Sequence, residues 1–165
     1  MTLFNEMPAD AKVWIYAANR ILTDTEAIDI QKAGDDFTQS WTAHQNQLKA
    51  EFAILHNTFF VFMVDENVNE VSGCGIDKSV HFMQEMDKKY NLDAFNRLSI
   101  ELWQNNTVVL TNKQKLSVML QENAANAQTI IFNKTVTYKK QFDAEFQLKL
   151  DKSWVYPQLM ATITA

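Results

Sequence analysis

The sequence predicts an α+β domain, with a mainly antiparallel sheet of about five or six strands and helices packed mainly on one face. Three observations predict it. Apolar runs with a period of two occur in neighbouring pairs joined by short turn-forming stretches, which is the pattern of hairpins. Segments with helical spacing separate those pairs. Finally, the 165 residues are 47% hydrophobic and 12% aromatic, with three glycines and two prolines. That composition supports one core over a single domain, 1–165, and leaves little chain for long loops.

Lys12 to Ala18 alternates, with Val13, Ile15 and Ala17 on one side and Trp14 and Tyr16 on the other, so a strand covered on both faces is expected. Thr23-Asp24-Thr25-Glu26 has capping-box spacing and starts a helix that carries Ala27, Ile30, Phe37 and Trp41 and ends near Ala43 or His44. Gly34 inside that helix costs about 1 kcal/mol relative to alanine, which points to a close packing contact or a bend there. Leu48, Ala50, Phe52 and Ile54 form one face of a strand. A second run, FFVFMV at 59–64, follows His56-Asn57-Thr58 and is apolar on both faces, as a central hairpin strand would be.

After the acidic stretch DENVNE, residues 71–81 read VSGCGIDKSVH and turn a strand into a helix from Ile76 to Tyr90, stopped by Asn91. Helical spacing puts Ile76, Val80, Met83, Met86 and Tyr90 on its buried stripe. Leu98, Ile100 and Leu102 pair across Asn105-Asn106 with Thr107 to Leu110 as a second hairpin. Thr111 or Asn112 caps a third helix bearing Leu116, Met119 and Leu120. Thr129 to Phe132 reads as a strand and Tyr138 to Phe146 as a short helix. Ser153 to Met160 reads as a last turn around Trp154, interrupted by Pro157.

Charge narrows the function. A formal net charge of -5 repels phosphodiester backbones, and the densest basic run, Lys139-Lys140 near Lys134, is soon followed by Asp143 and Glu145, so nucleic acid is not an expected partner. The start, MTLFNEMPADAK, lacks the basic and apolar regions of an export signal. The longest apolar run, Phe59 to Val64, falls far short of the roughly 20 residues that span a bilayer. One cysteine forms no internal disulfide, in keeping with a reducing compartment. A soluble cytoplasmic protein without membrane insertion is expected.

Residues 71–81 hold two of the three glycines, the only cysteine and one of the three histidines. If catalytic, Cys74 at the amino end of a helix is the nucleophile, with His81 as its base and Asp77 beside them on the outward face. If ligand-binding, the amides of Gly73 and Gly75 and the side chains of Ser72, Lys78 and Ser79 cradle a small anion. If structural, the glycines only let a crowded strand turn into a helix. A Walker A loop does not fit, because Gly73 lies five residues before Lys78 and Asp77 stands where the second glycine belongs. No metal site is expected, since His44, His56, His81 and Cys74 lack zinc spacing and Asp65, Glu66, Asn67 and Glu70 lack an EF-hand pattern. No G-x-S-x-G elbow supports a serine hydrolase.

VWIYAANRILTDTE, the WTAH at 41–44, FFVFMVDE, SGCGIDKSV and the late K-S-W together resemble a small bacterial family of uncharacterised proteins over nearly the whole chain. SGC-x-ID-x-SV is the most distinctive part. Some members of that family carry the label ABC transporter ATPase, which implies nucleotide binding and transport coupling. This chain has no Walker A loop, no LSGGQ-type signature and too little length for an ordinary transporter ATPase domain, so no catalytic residue is transferred and no cofactor is assigned.

The expected function is a cytoplasmic binding or interaction domain that takes a small anionic molecule at the Ser72 to Ser79 turn, near His44 or His56. The alternatives are a thiol-dependent enzyme using Cys74, and a structural subunit that binds another protein or a second copy of itself as a homodimer.

Overall fold

The computed structural model describes residues 3–165; the first two residues of the amino-terminal stretch read above lie outside them. The α+β class and the antiparallel pairing hold. Where the sequence predicts one sheet, the strands divide between two, and each sheet carries its helices on one face.

The first sheet has the order β1-β5-β4, built from Lys12–Ala17, Phe59–Asp65 and Lys49–Leu55. The second has the order β7-β6-β8-β9, from Thr107–Asn112, Ser99–Gln104, Ile130–Phe132 and Gln147–Lys149. A two-stranded ribbon joins β2 (Thr42–Ala43) to β3 (Asn46–Gln47).

Alternation along the strands sorts the side chains into layers. Phe52, Phe60, Phe62 and Val64 face α1 (Asp24–Ser40) and α2 (Ser72–Tyr90), meeting Ile30, Trp41, Phe82 and Met83. Val13, Ala17, Ala53, Phe59, Val61 and Met63 face the other way, onto Val108, Phe132 and Phe146, and the short α4 (Lys139–Glu145) borders this layer through Phe142. Beyond that, Ile100, Leu102 and Ile131 pack on Leu116 of α3 (Lys113–Gln121) and Leu159 of α5 (Tyr156–Ile163). The result is four layers: helix, sheet, sheet, helix. β5 is buried along its whole length because it is the middle strand of its sheet, covered by α1 and α2 on one face and by the second sheet on the other.

Local signals hold where the chemistry is local. Thr23 and Glu26 form the capping box. The Glu26 carboxylate also accepts from both ends of the Arg20 guanidinium, at 2.8 and 2.9 Å, while Arg20 donates to the Tyr90 carbonyl at 2.8 Å. The start of α1 is thereby tied to the end of α2. These contacts, the Arg20 hydrogen bond first, hold the Glu26 carboxyl at about 2 against an ordinary 4.5. A depressed carboxyl stabilises the fold above its unfolded value and loses that contribution as pH falls from about 4.5 towards about 2. An NMR titration should find Glu26 ionising in that low range, and Arg20→Ala should return it towards the ordinary value. An unmoved Glu26 in the variant would exclude the guanidinium as the cause.

Four details differ from the sequence reading. The first helix stops at Ser40, where Trp41 turns to extended backbone (φ -74, ψ 117) and starts the ribbon. The second begins at Ser72, four residues earlier than the spacing predicts, and ends as expected at a left-handed Asn91 (φ 53). Its inward residues are Gly75, Ser79, Phe82, Met83 and Met86, so the buried stripe is rotated away from Ile76, Val80 and Tyr90, which are half-buried. Pro157 lies in the first turn of α5 and opens that helix rather than interrupting it, where its missing amide is not needed. No helix among the described residues is long and apolar enough to cross a membrane.

Candidate functional site

Two places concentrate chemistry. The first is the start of α2. Cys74, Asp77 and His81 are all exposed on the outward face, as the spacing predicts, and no hydrogen bond or ion pair joins them among the described residues. The five residues expected to cradle an anion do not converge. Gly75 and Ser79 point inward: the Gly75 carbonyl accepts from Trp41 Nε1 at 2.8 Å, and Ser79 Oγ donates to the Ile76 carbonyl at 2.7 Å. Lys78 reaches sideways to the ribbon and donates to the Thr42 carbonyl and hydroxyl at 2.9 and 3.0 Å. The Gly75 amide donates to Ser72 Oγ at 3.4 Å, and the Val71 amide to Glu66 Oε1 at 3.0 Å. At the first turn itself Gly73 and Cys74 are exposed and Ser72 is half-buried, with open space around Gly73.

Of the two histidines expected nearby, His44 lies in the ribbon turn with a left-handed φ of 49. That ribbon packs against the first turn of α2, where Ala43 sits beside Gly75. His56 belongs to the other side of the first sheet, with its ring 4.7 Å from Trp103 and 5.4 Å from Phe132. Burial there pushes its imidazole below the usual histidine range, favouring the neutral ring.

The second place is a cleft of about 560 Å³ between the two sheets. Its floor is β1, and residues from both faces of that strand line it, Trp14 and Tyr16 from one and Val13, Ile15 and Ala17 from the other. The cleft therefore runs along the strand's edge. One wall is the 94–97 turn with Phe95 and Arg97. The other is the 134–137 strap, which leaves β8 and crosses to β1, where the Val13 amide donates to the Thr137 carbonyl at 2.9 Å. Trp154, 52% exposed, and Phe95, 40% exposed, stand at the mouth. The Tyr16 and Phe95 rings meet edge to face at 5.3 Å, and burial raises the Tyr16 phenol above its ordinary value while nearby Arg97 opposes the rise.

Two cations and no carboxylate line this cleft. Lys134 is internally matched. Its ammonium lies 2.9 and 2.8 Å from the two oxygens of the fully buried Glu101, the second being a Coulombic contact without hydrogen-bond alignment. It also donates to the Ser99 carbonyl and hydroxyl at 3.0 and 2.7 Å. Arg97 has no hydrogen-bonded or ion-paired partner among the described residues, so the uncompensated charge in the cleft is its guanidinium. Sequence reasoning missed this site because Arg97 and Phe95 sit in an aperiodic turn. Trp154 was the one visible signal, a large ring shortly before Pro157.

Among the described residues no group of three or more histidine, cysteine or acidic side chains is placed to hold a metal ion. Comparison with protein-family models, with curated proteins and with solved structures returns no match.

Proposed function

We propose that this chain is a binding domain, and that its recognition site is the cleft along β1 rather than the start of α2. The ligand it suits combines an anionic group with a flat apolar part. Arg97 offers a planar cation with two parallel donors, which match a carboxylate, sulfonate or phosphate. Phe95 and Trp154 offer exposed ring surface beside it. The observation that carries the proposal is the unmatched guanidinium at the rim of an apolar recess. The net charge of -5 argues against a nucleic-acid backbone as the target and leaves a small anion, and a cytoplasmic location belongs to this proposal.

The test uses 8-anilinonaphthalene-1-sulfonate as the probe, because it carries an aromatic body and one anionic group. The native protein should bind it saturably at one site, and Arg97→Ala should weaken binding by about tenfold, the effect of a charge-assisted hydrogen bond worth about 1.5 kcal/mol. Amide chemical shifts should move at Ile15, Ala17 and Arg97. No saturable binding would overturn the proposal. Shifts centred on Gly73 and Cys74, with Arg97→Ala silent, would return the site to the start of α2. That second reading is favoured by the exposure of Gly73 and Cys74.

A further inference from the structure

We infer that the cleft accepts an extended acidic peptide, which adds to the first sheet as a strand beside β1 and pairs with Ile15 and Ala17. This rests on the cleft being a binding site and names its ligand class.

Hydrogen bonds at the ends of β1 fix which residues face outward. The Val13 amide donates to Thr137 on the strand's outer side at 2.9 Å, the Ala11 carbonyl accepts from Lys139 at 2.9 Å, and the Asn19 amide donates to the Leu92 carbonyl at 2.7 Å. The Ala18 amide turns the opposite way, to the Thr58 carbonyl on the β5 side, at 2.8 Å. Backbone groups alternate in direction along a strand, so Ile15 and Ala17 also direct their N–H and C=O groups outward. No partner meets them among the described residues. The edge is pinned by Thr137 at one end and by Leu92 at the other, and stands open between.

The other edge of this sheet shows how the fold treats an edge it closes. On β4 the Gln31 side chain donates to the Phe52 carbonyl at 3.0 Å and accepts from the Ile54 amide at 2.9 Å. One carboxamide thus replaces a missing strand. Exposed edges attract foreign strands and are commonly blocked in this way, whereas the gap on β1 opens into the recess. Ala17 is only 4% exposed, so its outward peptide groups lie in a sheltered place where paired hydrogen bonds count for more than on open surface.

Size and charge select the occupant. Between the paired ends at Val13 and Asn19 the open edge is residues 14–18, about 16 Å at roughly 3.3 Å per residue, enough for four or five residues of a single extended chain. A second folded copy would bring its own packed layers, about 10 Å apart, against the 94–97 turn and the 134–137 strap. An isolated strand passes between them, its backbone read by Ile15 and Ala17 and its side chains by Phe95 and Trp154. An aspartate or glutamate on it meets Arg97.

The experiment passes a pool of acetylated hexapeptides over the immobilised full chain. Glutamate is fixed at the fourth position, and the others vary among valine, threonine, leucine and phenylalanine. Peptides should be enriched. The best one, resynthesised, should slow hydrogen exchange at the Ile15 and Ala17 amides. Methylating two alternate backbone nitrogens of that peptide should weaken binding more than tenfold, as should Ile15→Pro, which an edge strand tolerates where the N–H points outward. Replacing its glutamate by glutamine should weaken binding to the wild type and leave Arg97→Ala unaffected. The peptide proposal fails, while the cleft stands, if the naphthalene sulfonate binds and no peptide is enriched, or if backbone methylation in both registers has no effect. Both fail if neither probe binds. Protection of Ile15 and Ala17 that grows with protein concentration without peptide would put a second copy in the gap, and would also overturn the proposal.

Discussion

Replacing Lys134 by methionine is expected to destabilise the protein by about 3–5 kcal/mol. Methionine preserves most of the apolar stem and removes the ammonium. Glu101, fully buried in the middle of β6, then loses the only cation among the described residues that approaches its two oxygens. The large effect comes from the carboxylate left behind, because a buried charge without a partner forfeits its hydration and receives nothing in exchange. The Ser99 carbonyl and hydroxyl lose a donor as well. Removing both charges should recover much of the loss, so Glu101→Leu combined with Lys134→Met should unfold at higher urea than Lys134→Met alone. Urea titrations of the wild type, the single variant and the double variant measure this. Equal stability of the wild type and Lys134→Met would show that Glu101 does not depend on the pair.

Gly34→Ala is expected to cost about 2 kcal/mol, against the usual sign for glycine in a helix. Alanine there would gain about 1 kcal/mol of helix propensity. A Cβ at Gly34, however, would overlap the Phe52 ring, closest at its Cδ1. That ring packs on Phe62 at 4.8 Å and Phe82 at 5.9 Å, so moving it aside disturbs those contacts. Overpacking of this kind costs about 1–3 kcal/mol, and the upper end applies because the neighbouring rings are themselves buried. Phe52→Leu in the Gly34→Ala background should restore part of the loss. A Gly34→Ala protein as stable as the wild type would mean that Phe52 moves freely, contrary to its packing.

The contact at Gly34 was legible in the sequence because a glycine inside a strong helical pattern demands a reason. The alternation of β1, β4 and β5, the capping box and the Asn91 stop were legible for the same reason: each depends on neighbours a few residues away. Gly73 and Gly75 misled for an instructive reason. Glycines before a helix suggest a turn of special backbone, yet the left-handed residue there is Ser72 (φ 53), and none of the described glycines has a positive φ. Gly75 is small because a side chain would press on Val71 and Ala43, at 3.2 and 3.4 Å. The helix therefore runs through both glycines, and the face it buries is rotated from the one that apolar spacing selects.

The division into two sheets was not legible. Strand order is a pairing between distant segments: β8 was legible as a strand but its three residues do not say which strands flank it, and the three residues of β9 carry too little alternation to be read as a strand at all. The cleft was hidden for a related reason. It is made where β1, the 94–97 turn, the 134–137 strap and Trp154 meet, and no spacing within one segment encodes that meeting. The outward face of Cys74, Asp77 and His81 was read correctly, but sharing a face did not bring their polar atoms together.

The inter-sheet layer has a consequence for how this chain is made. Phe59, Val61 and Met63 are covered on that side by Val108, Phe132 and Phe146, which leave the ribosome dozens of residues later. Until the last of these has been synthesised, the nascent polypeptide presents an oily strip from its most water-averse segment to whatever surrounds it. Chaperone engagement should therefore begin soon after residue 65 emerges and end only once residue 146 is free to dock.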